Sequence, residues 1–162
     1  MQRPEVFLSH ASRDRRLVER IAAGFDAHGV RYFYSKRHIA GARQWHDELG
    51  AALERCNWFV LVLTPSAVKS VWVKRELLFV LQSKRYRDRI APLLVKDCAM
   101  NRLSWTLSSF QHIDFRKSFA EGFEVLVALL RRSPSSSSVR SARRKSTSRR
   151  SKRGVRAGRD SG

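Results

Sequence analysis

The stretch from residue 58 to residue 77, WFVLVLTPSAVKSVWVKREL, runs from an apolar segment into one with the composition of a helix. Its first six residues are all apolar, which is typical of a strand buried on both faces in the middle of a parallel sheet. A helix is predicted from about residue 71 to residue 83. A buried strand followed closely by a helix indicates an α/β fold, in which the helix packs against the sheet.

The remainder of residues 1–132 continues this alternation. Helical patterns are separated by four more β-rich runs, at residues 6–8, 30–34, 90–95 and, more weakly, 113–115. Strands that alternate with helices pair in parallel through right-handed crossovers, so we expect an open sheet covered by helices on both faces.

The other predicted helices lie around residues 17–25, 45–56 and 119–130. Ser12 is the expected N-cap of the first of these, and Gly29 its stop. Residues 98–109 are the least helical link, and we expect a short helix inside a loop there.

Composition separates this region from the end of the chain. Residues 133–162 hold ten Ser and ten Lys or Arg against one Asp, and few apolar residues. Such a segment cannot bury enough apolar area to offset its chain entropy, so we predict a domain at 1–132 and a disordered Ser/Arg/Lys-rich tail at 133–162. The tail carries +9 of the formal net charge of +19. It is either a solubilising appendage or an arm that binds nucleic acid or an anionic membrane.

The two cysteines and the N-terminus bear on the compartment. Cys56 and Cys98 occur in no metal-binding spacing, which favours a reducing environment over a disulfide framework. Charged residues flank the first short apolar run, unlike a signal peptide, and no stretch approaches the roughly 18 apolar residues of a membrane span. We therefore expect a cytoplasmic protein without a metal site.

Ligands of open α/β sheets bind outside the carboxyl ends of the strands, near the point where the strand order reverses. This rule selects the segments SHASRD, YSKRHIAGARQ and TPSAVKSVW, which follow the first three predicted strands. Backbone NH groups of SHASRD could bind phosphate, although Ser12 and Asp14 would cap a helix in any case. The chain has no GxGxxG or phosphate-binding P-loop motif, and its histidines do not form a nucleophile triad with serine and an acid.

Trp72 and Glu76 are one turn apart on the predicted third helix and lie on the same face. An indole beside a carboxylate can stack on a flat ligand ring while the acid meets a sugar hydroxyl or a developing cation. The alternative is an exposed acid paired with Lys69 or Arg75, with Trp72 as core packing. Lys74 and Arg75 are expected to point away from the face that Trp72 and Glu76 share.

These segments together resemble the Toll/interleukin-1 receptor (TIR) domain family, in its compact bacterial form. VFLSHASRD, residues 6–14, is similar to the first motif of the family. The stretch from Gly29 to Leu77 follows the family order of second strand, BB loop, second helix, central strand and acid-bearing third helix. The resemblance covers residues 4–130 and implies a flavodoxin-like three-layer sandwich with a five-stranded parallel sheet.

The resemblance also implies an activity. Many TIR domains cleave NAD+ at the nicotinamide–ribose bond, releasing nicotinamide and ADP-ribose or a cyclic or variant ADP-ribose. Their essential glutamate lies in a WxxxE-like motif of the third helix, which Trp72 and Glu76 match, so Glu76 is the implied catalytic residue. The residues implied to bind substrate are Phe7, Leu8, Ser9, Tyr34 and Trp72, with Arg13, Lys36, Arg37 and Arg43 as candidates for the pyrophosphate.

The same resemblance implies partners and a setting. NAD+ would be the substrate, with no further cofactor and no metal. The family implies self-association through TIR–TIR contacts, an effector that reads a nucleotide product, and a role in bacterial anti-phage immunity. The alternative function is a non-catalytic TIR–TIR interaction or adaptor module in signal transduction.

Overall fold

The computed structural model of the chain describes residues 3–34 and 42–132, with the backbone alone for residues 42–46. Five strands form one sheet: β1 Glu5–Ser9, β2 Arg31–Phe33, β3 Trp58–Leu63, β4 Ile90–Leu94 and β5 Ile113–Asp114. Five α-helices accompany them: α1 Arg15–Ala27, α2 Ala42–Arg55, α3 Pro65–Val68, α4 Val71–Gln82 and α5 Phe119–Arg131. Residues 133–162 lie outside the described residues, so the domain boundary and the tail stay predictions.

All strand pairs are parallel, and their order in the sheet is β2-β1-β3-β4-β5. This confirms the predicted flavodoxin-like α/β fold. The continuously apolar strand β3 lies at the centre, and all six of its residues are buried. Strand β5 is only two residues long and pairs with the last two residues of β4.

Helices cover both faces of the sheet because the strands are apolar on both sides. Val6 and Leu8 of β1 face a cluster that includes buried residues of α1 and α5. Phe7 lies between them in the strand, so its side chain points to the opposite face, toward a cluster built from α2, α3 and α4. The side chain of Ser9 continues the face of Phe7, toward the layer that contains α4.

Helix α1 shows how the chain sets the ends of its elements. After the helix, Gly29 adopts the left-handed conformation, with φ at 65°. Val30 NH donates to Phe25 O (3.0 Å), and Gly29 NH donates to Asp26 O (3.2 Å). These bonds form a Schellman motif, so the predicted stop at Gly29 is confirmed. The predicted N-cap is wrong: Ser12 is the first residue of a 3-10 turn, Ser12–Asp14, and Asp14 holds the N-cap position of α1.

The remaining helices follow the sequence closely, with one addition. The one-turn helix α3 lies directly after β3 and was not predicted. The link before β5 contains two short 3-10 helices, Met100–Arg102 and Trp105–Ser109, as the weak helical pattern indicated. In the described ranges, no helix combines the length and the apolar character that crossing a membrane would require.

Candidate active site at the carboxyl edge of the sheet

The strand order reverses between β1 and β3, because β2 lies on one side of β1 while β3 and the later strands lie on the other. Two neighbouring connections therefore leave the carboxyl edge in opposite directions. The chain after β1 enters α1 on one face, and the chain after β3 enters α3 and α4 on the other. Crevices of this kind hold the ligands of open α/β sheets.

Buried polar side chains concentrate at this edge. Six polar or charged residues are buried in the described part of the chain, and five of them lie at or just beyond the carboxyl ends of β1 and β3: Ser9, His10, Asp14, Thr64 and Glu76. The sixth, Asn57, precedes β3 at the opposite edge. Burying polar groups costs free energy unless they are hydrogen-bonded, so their concentration here marks a candidate site.

Glu76 is the acidic member of this cluster on α4. The helix begins after Ser70, whose hydroxyl accepts a hydrogen bond from Val73 NH (3.4 Å). Val73, Glu76, Leu77 and Val80 form its buried stripe at helical spacing, so the acid lies on the face that packs against the sheet. Only 4% of Glu76 is exposed, which excludes the alternative of an exposed surface acid.

Ser9 meets Glu76 across the helix–sheet interface. The Ser9 hydroxyl donates to Glu76 Oε2 at 2.5 Å, and Ser9 is itself only 1% exposed. Ser9 is the last residue of β1, and it pairs with Leu61 of β3. The sheet therefore supplies a hydrogen-bond donor to the carboxylate from the end of β1, an inner strand.

Trp72 is half-buried one turn before Glu76. The Arg75 guanidinium carbon lies 5.1 Å from the centroid of the indole, within the range of a cation–π contact. The prediction that Arg75 points away from this face is therefore wrong. A ligand ring that stacks on this indole would meet a positive charge beside it.

A second buried pair joins the two connections. The Thr64 hydroxyl donates to Asp14 Oδ2 at 2.6 Å and accepts from Ala67 NH at 3.0 Å. Thr64 thus caps α3 and binds the acid that precedes α1 at the same time. The pair ties together the segments that flank the crevice.

His10 and Tyr34 lie at the same edge, toward the other face of the sheet. Their rings meet edge to face with centroids 5.8 Å apart, and His10 Nδ1 is 3.4 Å from Leu8 O. Tyr34 packs against the cluster of α1 and α5, whereas Ser9 and Glu76 lie on the side of α4. The structure thus brings Ser9 and Glu76 together, leaves Trp72 one turn before Glu76 on α4, and places Tyr34 beside His10.

The other predicted site residues are not all in the crevice. Phe7 and Leu8 are each 1% exposed in the two core clusters, so only their backbone atoms could line a cleft. Arg13 is exposed on the 3-10 turn after β1. Lys36 and Arg37 lie outside the described residues, and Arg43 belongs to the part of α2 that is described by its backbone alone.

Sequence reasoning missed two polar residues of the cluster. They are His10, which the sequence places in no nucleophile triad, and Thr64, which follows the apolar run of β3. A Thr followed by Pro at the start of a helix is itself a capping signal that could have indicated Thr64.

Two cavities lie in the described part of the chain, both away from the buried polar cluster. In residues 3–34 and 42–132, no three His, Cys, Asp or Glu side chains form a group able to hold a metal ion. One cavity, of about 260 Å³, lies beside the end of α4 and the start of β4. Another, of about 710 Å³, opens where Glu5, Arg31 and Arg55 meet at the amino ends of β1 and β2. Neither is lined by a residue of the buried polar cluster.

The sequence matches the TIR domain family over residues 6–127. This stretch contains the Ser9–Glu76 contact, most of the helical layers and every residue of the sheet except Glu5. The chain belongs to the TIR domain family. A search of proteins with curated functions finds no match.

Solved structures agree with this TIR assignment in fold. The TIR domain of the Toll-related receptor TRR-2 from Hydra magnipapillata superposes with a TM-score of 0.65 at 18% identity, covering 78% of this chain and 98% of that one. The TIR domains of the activated Roq1 resistosome, which directly recognises the pathogen effector XopQ, give a TM-score of 0.58 at 15% identity, covering 77% and 98%. A metazoan TIR-STING receptor from C. gigas in complex with 2',3'-cGAMP gives 0.64 at 18% identity, covering 80% and 41%.

Proposed function

We propose that this TIR domain cleaves NAD+ at the nicotinamide–ribose bond, with Glu76 as the working carboxylate. The observation that carries the proposal is a buried acid at the switch point of the sheet, held by a hydroxyl from the neighbouring strand. Acids are rarely buried in proteins, yet Glu76 lies in the buried stripe of α4 and accepts a hydrogen bond from Ser9.

The chemistry suits a site with one carboxylate. The bond between ribose C1′ and the pyridinium nitrogen breaks, its electron pair leaves with neutral nicotinamide, and positive charge develops on the ribose. An ionised Glu76 would stabilise this oxocarbenium-like transition state. Water then adds to C1′ and releases a proton, giving ADP-ribose; attack by a group of the same molecule would give a cyclic product instead.

Other groups near the crevice have proposed roles in binding. The Trp72 indole is an aromatic surface for a flat ring, and the Arg75 charge beside it favours an anionic dinucleotide. Arg13 is exposed on the turn that follows β1 and is a candidate for the pyrophosphate, together with Lys36, Arg37 and Arg43. NAD+ is the substrate in this proposal, and no additional cofactor takes part.

The test is product analysis after incubation of concentrated protein with NAD+. Glu76→Gln is the sharpest variant, because glutamine keeps the side-chain size and an acceptor for Ser9 while removing the charge. Glu54→Gln, on the exposed side of α2, is the matched control for loss of one carboxylate. We expect nicotinamide and ADP-ribose or a cyclic ADP-ribose from the wild type and Glu54→Gln, and none from Glu76→Gln. Equal turnover by Glu76→Gln would reject the proposed role of Glu76.

A second candidate function is a TIR–TIR interaction module. It is favoured by apolar side chains that stay exposed on α4: Val71 (61% exposed), Leu78 (44%) and Phe79 (46%). An interaction module would self-associate equally well as Glu76→Gln and would turn over no nucleotide in any assembly. Sedimentation of the wild type and Glu76→Gln, with nicotinamide assayed in the same samples, distinguishes the two functions.

The proposed setting is bacterial anti-phage signalling in the cytoplasm, through loss of NAD+ or through a nucleotide product that an effector reads. Residues 133–162 are proposed to bind nucleic acid or an anionic membrane. Deleting these residues should then abolish salt-sensitive retention on DNA, RNA or anionic vesicles. Unchanged retention would reject that role for the tail.

A further inference from the structure

We propose that Ser9 is a positioning residue, which holds the Glu76 carboxylate in its reactive orientation instead of binding the substrate. The inference rests on the proposed function, because it assigns Ser9 a part in the same site. Its basis is the hydrogen bond from the Ser9 hydroxyl to Glu76 Oε2, between two residues that are both almost fully buried.

The donor is attached to a rigid part of the molecule. Ser9 ends β1, an inner strand that pairs with β2 on one side and β3 on the other. Glu76 lies on α4, which joins the sheet through the buried residues Val73, Leu77 and Val80. The hydrogen bond therefore spans the interface between sheet and helix, and it fixes the end of a side chain with three rotatable bonds. Catalytic groups must be held within about 0.5 Å of their productive positions to be effective.

The chemistry of a hydroxyl excludes a second role as donor. Serine carries a single O–H proton, and in this structure that proton is directed at Glu76. Ser9 cannot donate to a ribose or phosphate oxygen at the same time. The inference therefore assigns the Ser9 proton to the carboxylate, where the family resemblance implied a contact between Ser9 and the substrate.

The two roles predict different kinetics. Loss of a positioning hydrogen bond to a charged group weakens stabilisation of the transition state, so Ser9→Ala should lower kcat about 10- to 100-fold with little change in KM. Loss of a substrate contact would raise KM with kcat unchanged. Ser9→Cys keeps the shape of the side chain, with a slightly larger atom, in a site that is only 1% exposed, but replaces a strong donor with a weak one, so it should lose most of the same activity.

The experiment measures kcat and KM for NAD+ with the wild type, Ser9→Ala, Ser9→Cys and Ser118→Ala. Ser118 is the matched control, because it caps α5 at the far side of the sheet by accepting from Glu121 NH at 3.2 Å. We expect a fall in kcat for both Ser9 variants and none for Ser118→Ala, with all three variants folded by circular dichroism. Wild-type kcat in Ser9→Cys, or a raised KM alone in the Ser9 variants, would overturn the inference.

A double-mutant cycle tests the contact without reference to activity. In urea unfolding, Ser9→Ala and Glu76→Ala, each of which removes one partner of the hydrogen bond, should be coupled by about tenfold in the unfolding equilibrium constant, whereas additive effects would contradict the contact. The two proposals also fail differently. If the wild type releases no nicotinamide, the proposed function fails and the positioning role falls with it; if the wild type turns over and Ser9→Ala matches it, only the positioning role is overturned.

Discussion

Thr64 and Asp14 form a buried hydrogen bond of 2.6 Å between residues 50 positions apart in the chain. Thr64 follows the central strand, and Asp14 precedes the helix that leaves β1. The bond therefore joins the two connections that leave the carboxyl ends of β1 and β3. We expect loss of this bond to lower the free energy of unfolding more than it lowers activity.

Thr64→Val should destabilise the protein by about 2–4 kcal/mol. The change keeps the shape but removes both the donor to a buried carboxylate and the cap of α3. Urea unfolding measures the effect. Thr64→Ser is the control, since it keeps the hydroxyl and should lose much less; a Thr64→Val protein as stable as the wild type would show that the pair contributes little.

Gly24 and Gly50 make a matched pair inside helices. A Cβ on Gly24 would lie 2.5 Å from Phe123 Cζ, and that ring is packed between Phe25 and Phe119. Gly24→Ala should therefore cost about 1–3 kcal/mol through overpacking. A Cβ on Gly50 meets nothing within 4 Å, so Gly50→Ala should stabilise by about 0.5–1 kcal/mol through helix propensity. Thermal unfolding of both variants tests this, and the same sign of change in the two would contradict the packing shown here.

The two cysteines should differ in reactivity. Burial raises the pKa of the Cys56 thiol to about 12, and burial followed by the nearby Asp97 charge also raises the pKa of Cys98. Cys56 is also fully buried, whereas Cys98 is half-buried, so the reactive thiolate is far less available at Cys56. Alkylation followed by peptide mass spectrometry should label Cys98 first and Cys56 only after unfolding. Equal labelling rates in the native protein would contradict this order.

Asp114 should contribute to the decrease in the free energy of unfolding at acidic pH. Hydrogen bonds from the Arg116 side chain and backbone NH hold the pKa of Asp114 well below its usual range. The ionised form therefore stabilises the folded state above the unfolded pKa of about 3.9, and that contribution is lost as the pH falls through the folded pKa.

Unfolding measured between about pH 5 and pH 2 should show a shallower loss of stability for Asp114→Asn than for the wild type. Asp47→Asn, an exposed acid on α2, serves as the control for removing one charge. Parallel curves for the wild type and Asp114→Asn would show that the Arg116 contact does not persist in solution.

The sheet could be predicted from the sequence because each strand carries its own local signal. An all-apolar run such as 58–63 and the alternation of strands with helices define a parallel sheet without knowledge of distant contacts. Helix α3 escaped prediction because four residues are too few to show a helical period.

The site was only partly predictable, for two reasons. The spacing of Trp72 and Glu76 identified the acid but left open whether it is buried or exposed. Its burial follows from the apolar stripe of Val73, Leu77 and Val80, which turns this face of α4 toward the sheet. The partners of buried polar groups depend on strand register: Ser9 lies 67 positions from Glu76, and no local pattern pairs them. The Thr64–Asp14 bond was out of reach for the same reason.

Nicotinamide release from NAD+ by concentrated wild-type protein and by Glu76→Gln, assayed side by side, tests the central claim most directly. The buried carboxylate is proposed to stabilise charge that develops only in the transition state, so removing its charge should slow release by at least about 100-fold while the fold is retained. Release by the wild type alone is the predicted result. Release at the same rate by Glu76→Gln would contradict the account.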